Sequence, residues 1–588
     1  MTMTDTADIQ LVSRLRQLFL AARDARKPRQ DNWNRNLRLL HNKLQTSGIS
    51  SWQPQPKSSE IYPTVSAIVA WMMDNNISVD CIPAADPGSQ IYPFLSKLAN
   101  DLSAVLYTNW VVEEYNKAVK LALWDSAIYG IGIFKTIWDN ERAGGLGNAL
   151  LTRVDPWSFF PDPYATSLDN MNFCCEVKRM TLEEIERRYP DAHGDLTNAS
   201  GMDVQFEEKP KVGSANANVM MANPGQLPGS GTFGNLGPST IGNFGQPHNR
   251  RDFVDADKTI FVYEYWLREN EVWYDEEEEK HVMSRWRVVV MAHGQILLDE
   301  YADDLWTYGG HPYDCVLFDD VGDFYGISLV DHLSQPQIYI NRLLSMLQQN
   351  AELIGNPIFM ESSNAGTSRV PIINRPGQRL TISGTAAMQN KPDWLRPPDM
   401  PPGILELVQY WGSRIENISG LSAITKGATP SQRNAEGVIN SIQEAAFVRI
   451  RSTIANLEAA LESALSKNAD LIIDNYDQKR VMAIVGPDGE KTAAVLFAHH
   501  WHIPSKDGDI PMEYQVQIRA GSSTPTSRQA RIAEADKLYG MGALDDQAVL
   551  EAHQYPHIDE NLQRLYEKRQ KGLLGGAGPA SRQRSARK

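Results

Sequence analysis

Apolar residues recur at helical spacing through much of the first 130 positions of the chain. One pattern runs from Leu11 to Leu44 and predicts a long helix over residues 9–45. The same spacing predicts a helix over residues 61–74 and another over residues 91–128. The chain is therefore expected to begin with a helical region.

The spacing then changes from about four residues to two. The segments IGIFKTIWDN (Ile131 to Asn140) and NALLTRVDPWSFFPDP (Asn148 to Pro163) predict two strands around the glycine-rich turn AGGLG. Thr181, followed three residues later by Glu184, fits a capping box at the start of a short helix. Residues 259–300 are rich in β-branched and aromatic residues and predict a strongly β region.

The second half of the chain carries two amphipathic helical patterns separated by an insert rich in proline, glycine and serine. The first pattern covers Ser334 to Gly355, with Pro336 in its first turn, and the second covers Ile404 to Ser419. A third begins after an N-cap at Thr429 and continues to about Tyr476. This last helix would be on the order of 65 Å long, so it must run across or between units rather than within one core.

Composition refines this picture. A chain of 588 residues exceeds one hydrophobic core, and its length alone predicts roughly three to four domain-sized units. Residues 209–250 are biased towards Gly, Asn, Pro and Ser and predict a disordered or loosely held insertion. No run of about 18 apolar residues predicts a membrane span, and the N-terminal sequence does not fit a secretory signal. The four cysteines lack metal-ligand spacing, so we expect reduced thiols in a cytosolic protein.

The formal net charge of −15 limits the partners that the chain can bind. Tight, non-specific wrapping of nucleic acid depends on clustered Lys and Arg that neutralise phosphates. An acidic chain is therefore not expected to wrap DNA, although a passage through which DNA slides stays compatible with this charge.

Few segments suggest cofactor or metal binding. GSGTFG, with Gly229, Gly231 and Gly234, matches the letters of a dinucleotide fingerprint but lacks the strand before it and the helix after it. In HHWHIP, which contains His499, His500 and His502, the last two histidines are expected on one face of a strand, without a further ligand. The acidic run from Asp275 to Glu279 fits a solvated hairpin tip better than a cation site.

Catalytic candidates are equally few. Asp319, Asp320 and Asp323 are compatible with Mg²⁺ binding in a nuclease, or with capping a turn before the first amphipathic helix. The sequence contains no Walker A loop and no G-x-S-x-G elbow. The pattern indicates a protein that is not an enzyme and needs no cofactor, with a metal-dependent nuclease as one alternative.

The order of these elements resembles the portal, or head-to-tail connector, family of tailed bacteriophages. The resemblance rests on YGIGIFKTIWD, on VDPWSFFPDPYA and on FYGISLVDHLSQPQIYINRLLSMLQQNAELIGNPIFM. A Pro-rich insert, a second short helix, a Ser/Thr loop and a very long helix follow in the same order. The resemblance extends over residues 11–571 and is strongest over residues 128–475. It implies an α+β, mainly helical ring subunit with a wing, a two-helix stem, a small α/β clip, a long spine helix and a short helical crown.

The resemblance also implies boundaries for these parts. The wing would comprise residues 1–325 and, as strands, 479–525. The other parts would be the first stem helix 326–355, the clip 356–400, the second stem helix 401–420, the channel loop 421–433, the long helix 434–478, and the crown helices with a basic tail, 526–588. Longer family members carry an extended barrel after the crown, which this sequence lacks.

Three sets of residues are implied to make contacts. The channel loop would present Ser422, Thr425, Lys426, Gly427, Thr429 and Arg433 to DNA. The clip would meet DNA, the motor or the adaptors through Arg369, Arg375, Arg379, Lys391, Trp394 and Arg396. The basic tail would touch packaged DNA through Arg582, Arg584, Arg587 and Lys588.

Function and location follow from the same resemblance. The subunits would form a homo-oligomeric ring, usually a dodecamer, at a unique capsid vertex, as the channel for packaging and ejection of double-stranded DNA. The implied partners are terminase, then tail adaptor proteins, together with the major capsid and scaffolding proteins, and no membrane. The protein would reside in the virion and, during assembly, in the host cytoplasm. Another ring or adaptor of the virion is the remaining alternative, although adaptors are normally much smaller.

Overall fold

Helical and alternating apolar patterns follow one another along the chain, and the computed structural model accordingly shows a mixed α/β fold with more helix than strand. The structure describes residues 3–43, 54, 56–73, 77–190, 259–274, 280–355, 358–360, 393–395, 403–420, 436–485, 491–496, 500–505, 508–520 and 535–542, with 544, 546, 549–550 and 564. The predicted insertion over 209–250, the segment GSGTFG and the acidic run Asp275 to Glu279 lie outside these residues.

The described helices are α1 (Met3–Leu40), α2 (Ile61–Met73), α3 (Tyr92–Val112), α4 (Tyr115–Tyr129), α5 (Leu182–Arg188), α6 (Ala302–Leu305), α7 (Leu329–Gly355), α8 (Gly403–Ser419) and α9 (Glu436–Asn475). The described strands are β1 (Ile77–Pro83), β2 (Ile131–Asp139), β3 (Asn148–Val154), β4 (Phe159–Pro161), β5 (Phe173–Thr181), β6 (Thr259–Tyr274), β7 (Lys280–Ala292), β8 (Gln295–Tyr301), β9 (Tyr313–Leu317), β10 (Ile358–Met360), β11 (Asp393–Leu395), β12 (Arg480–Val485), β13 (Lys491–Leu496), β14 (His502–Ser505), β15 (Gly508–Pro511) and β16 (Tyr514–Ala520).

All the pairings between these strands are antiparallel. The largest sheet has the order β4-β5-β6-β7-β8, and a three-stranded sheet has the order β3-β2-β9. Four two-stranded sheets pair β1 with β16, β10 with β11, β12 with β13, and β14 with β15. The pairing of β1 with β16 joins residues more than 400 positions apart in sequence, so the last strand completes a region that begins near residue 77.

The chain divides into two compact units, fewer than the three to four expected from its length. The larger unit comprises Met1–Asn34, Ile68–Leu329 and Asn434–Lys588, and the smaller unit comprises Arg35–Ala67 and Val330–Arg433. The difference arises because distant segments share cores within the larger unit. One cluster joins Phe19 of α1 to Phe160, Tyr263 and Val289 of the five-stranded sheet, and a second joins Ile133 of β2 to the opposite side of that sheet.

The helix predicted over residues 91–128 is two helices. Glu114 lies between α3 and α4 with a φ of 53°, in the left-handed region that breaks a helix, so the apolar spacing continues while the backbone turns. Helix α4 then ends at Gly130, whose φ of 92° suits a glycine at this position. A Cβ there would lie 2.3 Å from the carbonyl oxygen of Tyr325, so only glycine fits this close approach.

Two other predicted elements also differ from the structure. The segment Asn148 to Pro163 is not one strand, because Pro156–Ser158 forms a 3₁₀ turn between β3 and β4, with the Asp155 carboxylate accepting a hydrogen bond from the Trp157 backbone N–H. Pro336 is not in the first turn of α7, because that helix begins at Leu329. The N-cap is confirmed: the Thr181 hydroxyl accepts a hydrogen bond from the backbone N–H of Glu184 at 3.2 Å.

Helix α9 has 40 residues, about 60 Å at 1.5 Å per residue. From Thr453 to its end, the helix is fixed to the rest of the larger unit by polar contacts as well as apolar ones. The Thr453 hydroxyl donates to the carbonyl oxygen of Phe318 at 2.8 Å, and the Asn468 amide donates to the Tyr115 hydroxyl at 2.8 Å. Asp474 accepts hydrogen bonds from the backbone and hydroxyl of Thr307. The helix is therefore held at several positions between Thr453 and Asp474.

Candidate functional site

Helix α8 leaves several of its apolar residues exposed in the single chain. Only Ile415 and Ser419 are buried in this helix, although its apolar residues follow helical spacing throughout. Leu405, Leu407 and Tyr410 are 57%, 47% and 58% exposed. Exposed apolar side chains grouped on one helix make it a candidate contact surface.

Helix α7 has the same property over its later turns. Tyr339, Met346 and Ile354 are 43%, 44% and 47% exposed. The ring of Tyr339 stacks on the ring of Trp411 in α8, with centroids 4.9 Å apart and planes inclined by 19°. The two helices thus contact each other within the smaller unit while both keep apolar side chains exposed.

Two buried amides on α7 hold the chain segment that enters α2. The Gln337 side chain donates to the carbonyl oxygen of Ser58 at 2.6 Å and accepts from the backbone N–H of Glu60 at 3.1 Å. The Asn341 side chain accepts from the backbone N–H of Ser58 at 3.2 Å. The apolar pattern of the sequence does not single out these residues, although two amides four positions apart within an amphipathic helix are a usable signal.

Most of the contact residues expected from the sequence lie outside the described residues. This holds for the channel-loop positions, the basic tail and all the clip positions except Trp394. The positions concerned are Ser422, Thr425, Lys426, Gly427, Thr429, Arg433, Arg369, Arg375, Arg379, Lys391, Arg396, Arg582, Arg584, Arg587 and Lys588. Trp394 lies in the short strand β11, where it is paired with Phe359 of β10. These assignments stay predictions.

The aspartates considered for a nuclease make structural contacts. Asp320 accepts a hydrogen bond from the backbone N–H of Gly322 at 2.9 Å, as expected for a turn. Asp323 forms an ion pair with Arg29 of α1, and the backbone of Asp319 pairs with that of Ile327. Within the described ranges, no three His, Cys, Asp or Glu residues lie close enough together to hold a metal ion.

The predicted placement of His500 and His502 on one strand face is wrong. Strand β14 begins at His502, and His500 lies in the turn before it, where its Nε2 is 3.3 Å from a carboxylate oxygen of Asp101. The intervening Trp501 is buried and donates its indole N–H to the carbonyl oxygen of Leu98, which fixes this turn. His499 lies outside the described residues.

A buried ion cluster joins the two larger sheets. The Lys135 ammonium of β2 donates to Glu176 of β5 at 2.8 Å and also to Glu264 of β6. Lys178 contacts the same two carboxylates at 3.1 and 3.3 Å, and the Tyr313 hydroxyl donates to Glu176 at 2.9 Å. Lys135 and Glu176 are 4% and 3% exposed, so water cannot replace these partners.

Burial and charge act in opposite directions on this cluster. Burial alone would raise the pKa of Glu264, but the ammonium groups of Lys135 and Lys178 outweigh it and hold that pKa well below its ordinary value. Burial would likewise lower the pKa of Lys178, yet Glu264 and Glu176 raise it well above the ordinary lysine value. Glu264 and Lys178 are therefore charged at neutral pH, and the contacts of the cluster fix the three-stranded sheet against the five-stranded one.

Comparison with known families gives one result for nearly the whole chain. The family model described as "Phage P22-like portal protein" matches residues 51–584. A comparison with curated proteins gave no match. None of the helices in the described part has both the length and the apolar character needed to cross a bilayer.

Proposed function

Because the chain belongs to the phage P22-like portal protein family, we propose that it closes into a ring, usually of twelve subunits, whose bore carries double-stranded DNA into and out of a phage head. The family makes it a portal protein of a bacteriophage, a virion component that serves genome packaging. The family is structural rather than enzymatic, in agreement with the scarcity of catalytic motifs in the sequence.

The observation that carries the ring is the uncovered apolar surface of α7 and α8. Leu405, Tyr410 and Met346 are each close to half exposed or more in the single chain. A second copy that presents a different face of the same helices would cover them, and repetition of such a heterologous contact closes a ring. Burial of these side chains at each of many identical contacts would contribute a large favourable free energy to assembly.

The family pattern supports an assignment of parts to this ring. We assign residues 1–325 and 479–525 to the wing, 326–355 and 401–420 to the stem, and 356–400 to the clip. The loop over 421–433 would line the bore, before the long helix 434–478 and the crown 526–588. A loop with one lysine, Lys426, and several small hydroxyl residues offers weak contacts, so DNA would slide past it rather than bind.

The same assignment predicts the order of partners. The clip would first receive the terminase motor during packaging and later the tail adaptor proteins. Major capsid and scaffolding proteins would surround the wing at a unique vertex of the capsid, with assembly in the host cytoplasm. The clip residues Arg375, Lys391 and Trp394 are the first positions at which we would test these contacts.

Electron microscopy of the purified full-length chain tests the ring. Top views are expected to show closed rings with a central hole, and native mass spectrometry is expected to give one dominant oligomer near twelve copies. A chain that stays monomeric at high concentration, and that is missing from the vertex of the virion, would refute the proposal.

Deletion of Leu421 to Ala428 tests the channel loop. We expect rings of normal size, because the deletion leaves the exposed surfaces of α7 and α8 unchanged, but impaired packaging or retention of DNA. The measurement is the DNA content of heads assembled with the variant, compared with heads that carry the unaltered chain. Heads that fill and retain DNA normally would show that this loop does not contact DNA.

A further inference from the structure

The middle turns of helix α1 are fixed within the larger unit. Leu15, Phe19 and Ala22 are buried in the cluster on the five-stranded sheet. The Arg26 guanidinium is almost fully buried, where it donates to the carbonyl oxygens of Pro156 at 3.1 Å and Phe159 at 2.7 Å and lies 3.6 Å from the ring centroid of Phe160. The orientation of this part of the helix, and therefore of its outward side chains, is set by these contacts.

Three cations lie in a line along the flank of this helix. Arg16, Arg23 and Lys27 are spaced by seven and four residues, which places them in one stripe of an α-helix. Arg16 and Lys27 are exposed, and Arg23 is partly exposed. The stripe spans about 16 Å at 1.5 Å per residue. We call these three residues the α1 stripe.

The ends of the α1 stripe are not neutralised by the chain itself. Arg23 contacts the neighbouring Asp24 at 2.8 Å, whereas Arg16 and Lys27 form no ion pair with any residue that the structure describes. Other arginines of the same helix are already paired, Arg14 with Glu269 and Arg29 with Asp323. Arg16 and Lys27 are therefore exposed cations without an ion pair among the described residues, although the formal net charge of the chain is −15.

Charge along the sequence shows the same contrast. Between residues 14 and 34 the chain carries six arginines and lysines but only two aspartates. Arg14 and Arg29 are paired and Arg26 is buried, so the α1 stripe is what this segment offers to a polyanion.

We propose that the α1 stripe is a contact for the phosphate backbone of duplex DNA, in addition to the channel loop. A linear row of cations matches a linear row of phosphates, which recur closely along a duplex. The stripe has no aromatic or amide side chain among its members for reading bases, so binding would be independent of sequence and weak. The choice of DNA as the polyanion rests on the proposed function; the presence of the cationic surface does not.

The triple variant Arg16→Gln, Arg23→Gln, Lys27→Gln tests this contact. We expect the full-length chain to bind a fluorescent 30-base-pair duplex measurably at 50 mM salt. Its log affinity should fall with log salt more steeply than that of the variant, by about 2.7 in slope for each engaged subunit, since each lost phosphate contact removes about 0.9. Raising the salt from 50 to 200 mM would then weaken the unaltered chain about 40-fold more than the variant.

The matched control is Lys117→Gln with Lys120→Gln, two exposed lysines on α4. The control should keep the affinity and salt slope of the unaltered chain. Equal slopes for the triple variant and the unaltered chain would refute the proposal, as would binding of the unaltered chain to polyglutamate but not to the duplex.

Ring assembly separates this inference from the proposed function. The triple variant is expected to form rings in electron micrographs as the unaltered chain does, because the α1 stripe lies outside α7 and α8. If the chain forms no rings but the triple substitution still reduces the salt slope, the portal function fails and the DNA contact stands. If rings form and the slope does not change, only the DNA contact fails.

Discussion

Replacing both Leu405 and Tyr410 by serine is expected to leave a folded subunit that no longer assembles into rings. The two side chains are 57% and 58% exposed in the single chain, so little of the subunit's own stability depends on them. In the proposed ring both would be buried at every subunit contact. Truncation of a buried aromatic or aliphatic anchor typically costs 2 kcal/mol or more, so the pair would weaken each contact by about 4 kcal/mol, roughly a thousandfold.

Size-exclusion chromatography with light scattering measures this outcome. The serine variant should elute as a monomer or small oligomer at concentrations at which the unaltered chain is a ring, and its thermal unfolding midpoint should change by no more than a few degrees. The variant Gln409→Ala with Arg414→Ala removes two exposed polar side chains from the same helix and serves as the control, which should still form rings. Undiminished rings in the serine variant would mean that α8 is not a subunit contact.

There is a simple physical reason why helix α8 could be predicted while the exposure of its side chains could not. Helical spacing of apolar residues from Ile404 to Ser419 reports which side of a helix avoids water, and the structure indeed forms α8 over Gly403–Ser419. The pattern is the same whether a neighbouring segment of one chain or a second copy covers that side. Only the structure shows that Leu405 and Tyr410 find no cover within the described part of their own chain.

Local sequence signals predict a cap between neighbouring residues, but they do not predict where a helix breaks or begins. The Thr181 cap was predicted because its partner lies three residues away. The break between α3 and α4 was missed because the left-handed conformation of Glu114 leaves the apolar spacing of its neighbours unchanged. Pro336 predicts a first turn because a proline is best tolerated there, but helix α7 begins seven residues earlier.

The contacts that no sequence pattern revealed are long-range and polar. Lys135 and Glu264 are 129 positions apart, and neither lies in a segment whose spacing marks a charged residue as buried. Alternation along a strand assigns a lysine to one face of the sheet but does not say whether that face is buried. A lysine in a strand is therefore expected to face solvent. The loop from Ser422 to Arg433 has no apolar periodicity, so the positions of its residues could not be inferred from the sequence.

Substitution of Lys135 by methionine is expected to destabilise the larger unit by about 3–5 kcal/mol at neutral pH, the cost of removing one partner from a buried ion cluster. Methionine fills the volume of the lysine stem but leaves Glu176 and Glu264 with Lys178 as the only cation among their described contacts. Urea unfolding, together with hydrogen exchange of the backbone amides of β2 and β5, measures the loss. The exposed Lys120→Met on α4 is the control, and it should shift the unfolding midpoint very little.

The pH dependence identifies the cause of that loss. In the unaltered chain the pKa of Glu264 is depressed below the ordinary value near 4.5, so its contribution is present above that pH and is lost as the pH falls through the folded-state value. In Lys135→Met the cation that depresses this pKa is missing, and protonation of a carboxylate relieves the variant as the pH is lowered from 7 towards 4.5. The difference in unfolding free energy between the two chains should therefore shrink over this range.

Adding Glu264→Gln to Lys135→Met should recover part of the stability at pH 7, because it removes the uncompensated charge. A double variant that is less stable than Lys135→Met alone, or a difference that does not change with pH, would show that the loss comes from packing and not from the ion cluster.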